Sequence, residues 1–173
     1  NNPKKAELEA FCEKVRNTSD IERTSTESEK VGMYTGIDCV HPLTGKSVQI
    51  WITNYVLYDY GTGAVMGVPT GDQRDWMFAT KYNIPKIITL QPKDHELKLE
   101  EMDHAYEDKD GVLVNAGPFT GMEMHKAMKA IIDYMEEKGL YSMESPFQQE
   151  INVKGYYFGK NEGKEHCRRN FEK

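Results

Sequence analysis

The chain predicts an α+β fold: an irregular β-core or barrel-like sheet with peripheral helices. Short β-rich runs gather between residues 31 and 68, apolar residues recur at helical spacing on both sides of them, and Gly and Pro punctuate the joins. Residues 3 to 17 form the first helix, with Leu8, Phe11, Cys12 and Val15 on one face. Val31 to Val40 reads as a strand, Leu43-Thr44-Gly45-Lys46 as a turn, and Val48 to Thr53 as the next strand.

Tyr55 to Tyr60 is again β-rich, Gly61 and Gly63 free the backbone, and Ala64 to Val68 has the apolar character of a buried strand, so a hairpin is expected. Pro69 cannot donate to a ladder and ends that strand. Asp72 is then a good N-cap, with Asp75 three residues on, in the first turn of a helix from Gln73 to about Tyr82. Trp76, Ala79 and Tyr82 recur at helical spacing, and Pro85 lies just past the end. Ile84 to Leu90 is β-rich, and Lys93 to Asp110 is a charge-dense loop with a little helix. A short strand, Val112 to Asn115, leads to Thr120-Gly121-Met122-Glu123, which has capping-box spacing. Met124, Ala127, Met128, Ile131, Ile132 and Met135 form a helical stripe with the character of core, closed by Gly139 as C′ residue.

The chemistry gathers in Gly61 to Trp76, where backbone amides, a thioether and two carboxylates come to one small region. Spacing alone makes Asp72 and Asp75 ordinary helix-start residues and Met66 a core residue. The glycines do not form a phosphate loop, because apolar chain continues to Val68 where such a loop would open a helix. His41, His95, His104, His125 and His166 are scattered without metal-ligand spacing, His166 beside Cys167 reads as a chance neighbour, and there is no GxSxG elbow.

The run GTGAVMGVPTGDQRDWMFATKYNIP resembles the GTGAVMAVPxHDQRDxEFAxKYxLP block of the editing domain of bacterial-type and organellar leucyl-tRNA synthetases, class I enzymes. Asn1-Asn2-Pro3 through Arg16-Asn17-Thr18, Val40-His41-Pro42-Leu43-Thr44-Gly45, VQIWITNYVLYDYG and Asp110 to Gly117 resemble the same domain in the same order. The resemblance covers roughly residues 1 to 140, which form an editing-domain-like core, and leaves residues 141 to 173 as a segment of unassigned role.

The resemblance implies hydrolysis of the ester of tRNA-Leu carrying norvaline, isoleucine or methionine. A hydrophobic pocket separates side chains differing by one methylene by only about 1–3 kcal/mol, and a second, hydrolytic sieve makes up the difference. It further implies that Asp75 binds the substrate α-ammonium, that Met66 and Val68 line the amino-acid pocket, and that Asp72 and Arg74 stand at the rim near the terminal adenosine. The resemblance also implies water as the nucleophile, helped by the substrate and by fixed dipoles, with no cofactor or metal for editing and with ATP and Mg confined to the parent synthetase's catalytic domain.

The chain departs from the pattern at Gly71, where the family usually has His. The family's threonine-rich strand lies before the segment corresponding to Asn1, and Thr24, Ser25, Thr26 and Ser28 stand in the wrong order to replace it. Two functions therefore remain open: an editing hydrolase, and a non-catalytic module that binds the tRNA-Leu acceptor end or a protein. The rest of the synthetase is a partner if the chain is a fragment.

Composition bounds both readings. The 173 residues suit one domain, and a hydrophobic fraction of 38% supports a modest core. The apolar runs are far shorter than the roughly 18 residues of a membrane span, so the chain reads as soluble and cytoplasmic, with mitochondrion or plastid as the alternative. Cys12, Cys39 and Cys167 are odd in number and widely spaced, which points to a reducing compartment. A net charge of −6 argues against broad grip on a polyanion. Lys154, Lys160, Lys164, Arg168, Arg169 and Lys173, interleaved with Tyr156, Tyr157, Phe158 and Phe171, suit either a stacking and phosphate-contact surface or a solvated helix and edge strand.

Overall fold

A computed structural model describes residues 2–57 and 64–140. Helix α1 (Lys5–Arg16) and the single turn α2 (Asp20–Thr24) precede an antiparallel pair, β1 (Gly32–Val40) and β2 (Ser47–Thr53). Helix α3 (Gln73–Lys81) follows, then the short pair β3 (Leu90–Gln91) and β4 (Val112–Leu113), and finally α4 (Met124–Glu137). Brief 3₁₀ turns stand at Leu99–Glu101 and Gly117–Phe119.

The pairing of β1 with β2 starts at Gly32 opposite Thr53, slips between Tyr34 and Asp38, and resumes with Asp38 opposite Gln49. The slip is a bulge held by Thr35, whose hydroxyl donates to the Ile50 carbonyl at 2.8 Å and accepts from the Ile37 amide at 3.2 Å. Gly36 takes φ +77° there, a left-handed conformation that costs a Cβ-bearing residue energy. The turn beyond β1 is closed by His41, which is buried and accepts from the Leu43 and Thr44 amides through Nδ1. Burial pushes its pKa below the usual imidazole value, so at pH 7 the ring is the neutral acceptor the turn requires.

Helix α3 packs on this sheet through aromatic rings. Trp51 meets Phe78 edge-on at 5.4 Å between centroids and Tyr82 at 5.0 Å, and Tyr34 is tilted against it at 5.6 Å. Gly32 lies beneath Phe78 so closely that a Cβ would stand 2.7 Å from the ring, and its amide donates to the Tyr82 hydroxyl at 2.9 Å.

The second body of core is mostly aliphatic, with one aromatic pair, Phe119 and Tyr134. Leu113, Phe119, Met124, Ala127, Ile131 and Met135 form one buried cluster, with Leu43, Leu90 and Tyr134 against it. Of the predicted stripe on α4, Met124, Ala127, Ile131 and Met135 are core, while Met128 and Ile132 are half-buried at its edge and outside the cluster. Gly139 ends the helix at φ +66°, with the Leu140 amide donating back to the Met135 carbonyl at 2.8 Å.

The α+β class stands; a barrel-like closure is not seen among the described residues. Among the described residues there are two separate two-stranded sheets and no closed one. Val65 to Val68 joins no ladder, because the Val68 amide donates to the Asp75 carboxylate and its carbonyl accepts from the Gly71 and Asp72 amides. The predicted buried strand is instead the entry to a helix start. The hairpin expected around Gly61 and Gly63 falls on residues 58–63, outside the described residues, as does the segment 141–173. Only Leu90 of the β-rich run from Ile84 pairs as a strand, although the Thr89 carbonyl accepts from the Val114 amide at 3.0 Å.

The capping box expected at Thr120 does not form. Thr120 instead accepts from the Ala116 amide, and α4 begins after Glu123, an N-cap residue with no side-chain capping bond. A capping box does form at Ser19 and Glu22, at the head of α2. No helix among the described residues is long and apolar enough to cross a membrane.

Candidate functional site

The site is built on the turn from Val68 to Asp72 and the first residues of α3. Gly71 and Asp72 donate to the Val68 carbonyl at 2.8 and 3.0 Å, a tight turn pinned by Thr70, whose hydroxyl donates to the Ile87 carbonyl at 2.8 Å. Asp72 caps α3 as the sequence predicts, its Oδ1 accepting from the Arg74 amide at 2.9 Å and the Asp75 amide at 3.3 Å. The Arg74 guanidinium closes back on the same carboxylate through Nε at 3.2 Å and Nη2 at 2.9 Å. Gln73 ties the helix to the loop around residue 105: its amide donates to Glu107 and its side-chain carbonyl accepts from Ala105.

Asp75 faces the other way. Its Oδ1 accepts from the Tyr55 hydroxyl at 2.7 Å, and its Oδ2 accepts from the Val68 amide at 2.7 Å. Each oxygen keeps a lone pair beyond these bonds. Asp75 lines a cleft of about 950 Å³ together with Met66, Gly67, Val68, Thr53 and Tyr55. Asp72 and Arg74 are not among its lining residues; they sit together as an ion pair at the helix start. The five residues singled out from the sequence are therefore neighbours in space, three of them on the cleft and two beside it.

The two carboxylates titrate in opposite directions. Burial raises the pKa of Asp75 above the ordinary aspartate value, and the nearby Asp72 charge adds to this against the hydrogen bonds from Val68 and Tyr55. Burial also works on Asp72, but the hydrogen bonds and charge of Arg74 and the helix amides outweigh it and bring the pKa below the ordinary value. Burial, with the Asp75 charge second, holds the Tyr55 phenol well above its usual range, so it is a hydrogen-bond donor at every working pH.

Three features escape a reading of the sequence. Arg23 is 9% exposed and donates to four backbone carbonyls, those of Val15, Thr18, Asn54 and Val56. Lys30 is 2% exposed, with its ammonium on the Ser25 carbonyl and 5.8 Å from the centroid of the Tyr55 ring. Burial and the Arg74 charge lower its pKa. Thr53, at the end of β2, carries the one buried side-chain polar atom among the described residues that has no hydrogen-bond partner, and it lines the cleft. A β-rich run gives no sign of which hydroxyl stays unpaired, but Tyr55 could have been flagged as a phenol directly after a strand and level with the acidic helix start.

A half-buried carboxylate with inward oxygens satisfied and lone pairs left over is suited to bind a cation or a donor from the cleft. Among the described residues no cluster of His, Cys, Asp and Glu has the form of a metal site.

Comparison with known proteins gives the site its context. The family model of the leucyl-tRNA synthetase editing domain matches residues 1–136. The leucine-tRNA ligase of Symbiobacterium thermophilum is 50% identical over 134 residues, 78% of this chain and 15% of that protein. Those of Thermotoga maritima and Citrifermentans bemidjiense are 44% and 46% identical over 137 and 136 residues, each match covering 79% of this chain and 16% of the relative. The chain thus spans about one sixth of the length of these relatives, and over that span it belongs to the leucyl-tRNA synthetase editing-domain family.

Proposed function

We propose that the chain hydrolyses the ester of mischarged tRNA-Leu after transfer of the wrong amino acid, with Asp75 as the anchor for the substrate's α-ammonium. The observation that carries this reading is the Asp75 carboxylate, held at two points by Tyr55 and the Val68 amide on the wall of a cleft that Met66 also lines. An ammonium placed on the free lone pairs makes charge-assisted hydrogen bonds and fixes the ester attached to it. Met66 and Val68 offer apolar surface to the amino-acid side chain, which suits norvaline, isoleucine or methionine. Water attacks the ester carbonyl, the bond to the terminal ribose oxygen breaks, and the products are the free amino acid and tRNA-Leu with its hydroxyl restored. In this reading the Asp72–Arg74 ion pair, beside the cleft, serves as the polar rim for the terminal adenosine.

The setting that goes with this reading is the cytoplasm, with the remainder of a synthetase as partner, residues 1–140 as the functional unit and no cofactor for the hydrolysis. The test is deacylation of norvalyl-tRNA-Leu by the chain and by its Asp75→Ala variant. Wild-type turnover with loss of about 100-fold or more in the variant supports the anchor; equal turnover removes Asp75 from the mechanism.

A second reading rests on Gly71, which leaves no imidazole where the family pattern has His. In that reading the domain binds the acceptor end without cleaving it. Binding of tRNA-Leu with no release of amino acid selects it.

A further inference from the structure

We infer that Tyr55 is a positioning residue for Asp75, and that Arg23 holds Tyr55 in place by gripping the backbone on both sides of it. This rests on the proposed role of Asp75 for its consequence in catalysis, but not for its structural content. The Tyr55 hydroxyl lies 2.7 Å from Asp75 Oδ1, across 20 residues of chain, and fixes the carboxylate plane that the Val68 amide pins at the other oxygen. One donor on each oxygen leaves the carboxylate no rotation about its last bond without the loss of a hydrogen bond on its inward side.

Tyr55 belongs to no strand, yet its backbone is tightly held. Arg23 Nη1 donates to the carbonyls of Asn54 at 3.2 Å and Val56 at 3.3 Å, the residues immediately before and after it. Asn54 is further tied to the chain before β1, its amide donating to the Val31 carbonyl and its side chain pairing with the Val31 amide and the Glu29 carbonyl. The Tyr55 ring rests against Phe78 of α3 at 5.4 Å, with Lys30 over its face. The phenol thus reaches Asp75 from a fixed base. The charged groups that face the pair are Lys30 from the segment before β1 and Asp72 and Arg74 from the start of α3.

The consequence is chemical as well as geometric. A phenol donating to a carboxylate favours the ionised form, the one that binds an ammonium. Removing the hydroxyl must therefore raise the pH at which Asp75 takes up its proton and shift the acid limb of any activity that uses its charge.

The experiment follows the Asp75 carboxyl carbon by NMR titration in the chain and in Tyr55→Phe, alongside the pH profile of norvalyl-tRNA-Leu deacylation. We expect Tyr55→Phe to fold, to titrate Asp75 at higher pH, to move the acid limb of kcat/KM in parallel, and to raise KM several-fold more than it lowers kcat. Tyr82→Phe, which also removes a half-buried phenol but one bonded to the Gly32 amide, should reduce stability and leave both titrations in place. An Asp75 titration unchanged by Tyr55→Phe overturns the inference. A wild-type chain that fails to deacylate while its Asp75 titration still responds to Tyr55→Phe overturns the hydrolase reading and leaves the positioning role standing. If Tyr55→Phe does not fold, 3-fluorotyrosine at position 55, a stronger donor of the same shape, must lower the Asp75 titration, and no change there overturns the inference equally.

Discussion

Around α4 the core is built from Leu113, Phe119, Met124, Ala127, Ile131 and Met135, and nothing charged is buried among them. Around α3 it is built from Trp76, Phe78 and Ala79, with the half-buried rings of Trp51, Tyr55 and Tyr82 against Phe78, and buried Arg23 and Lys30 and half-buried Asp75 are drawn in with them. The first region is held by area, which is forgiving of direction and costly to remove. The second is held by directed bonds, each of which must be complete because a buried polar group without a partner is expensive. The cleft carboxylate sits in the second region, where a small displacement at one residue reaches another through a bond. If the two regions are divided in this way, damage to the first should cost stability and leave the site's titration alone, while damage to the second should change both.

The largest effect is expected in the aliphatic region. Ile131 is fully buried, and Ile131→Ala should cost about 4 kcal/mol in urea unfolding by lost transfer energy and the cavity left behind. The Asp75 titration should not move. Should it move, the two regions are not separable and the comparison fails.

In the directed region, Arg23→Met keeps much of the volume and removes every donor to the four carbonyls. The expected cost is about 3 kcal/mol, since some of those carbonyls will rehydrate and others cannot. Unlike Ile131→Ala, this variant should also raise the Asp75 titration, because the clamp on the backbone beside Tyr55 is gone. Gly32→Ala comes next, at about 2 kcal/mol, because a Cβ there stands 2.7 Å from the Phe78 ring and 2.9 Å from the Ile52 carbonyl, so that both the ring and the β1–β2 backbone must shift. Near-ultraviolet circular dichroism should report the ring's shift through Trp51, which packs edge-on against the same ring.

Which parts of this were legible beforehand follows the same division. The α4 stripe, the Asp72 cap, the limits of α3 and the Gly139 terminus were readable because each is set by residues within a few positions of one another. Arg23 was not, because what buries it is a set of carbonyls up to 33 residues away, and Arg is ordinarily a surface residue. The apolar run before Pro69 was misread as a strand for a related reason. Hydrophobic character predicts burial, yet Ala64, Val65 and Gly67 are exposed, and the Val68 amide goes to a carboxylate seven residues on, which no periodicity displays. The family block placed Met66, Val68, Asp72, Arg74 and Asp75 near one another, while the hydroxyl of Tyr55 had to be found in space.

A smaller effect separates the two acids of the helix start. Asp72 titrates below its unfolded value, so its contribution is present above the ordinary aspartate range and is lost as pH falls through its folded pKa. Asp75 has the opposite sign: its folded pKa is raised, so stability declines as pH rises from the ordinary aspartate range to that pKa and is level beyond it. Urea unfolding of the wild type and Asp75→Asn at several pH values from about 3 to 7 should show the variant lacking the decline while keeping the loss at the acid end.

The smallest expected change in stability is also the one that tests the carboxylate's surroundings most directly. A Cβ on Gly67 would lie 3.8 Å from the Asp75 carboxylate, ordinary contact, and Gly67 does not take a left-handed φ. Gly67→Ala should therefore alter unfolding free energy by no more than about 0.5 kcal/mol. Its methyl nevertheless displaces water from the exposed side of Asp75, the side left open by Tyr55 and the Val68 amide, and desolvation there disfavours the charge. The Asp75 titration should rise without any loss of hydrogen bonds, in contrast to Tyr55→Phe, where it rises because one is lost. Combining the two substitutions then distinguishes the causes: additive shifts mean that water and phenol stabilise the carboxylate independently, and a smaller joint shift means that the phenol's removal lets water in.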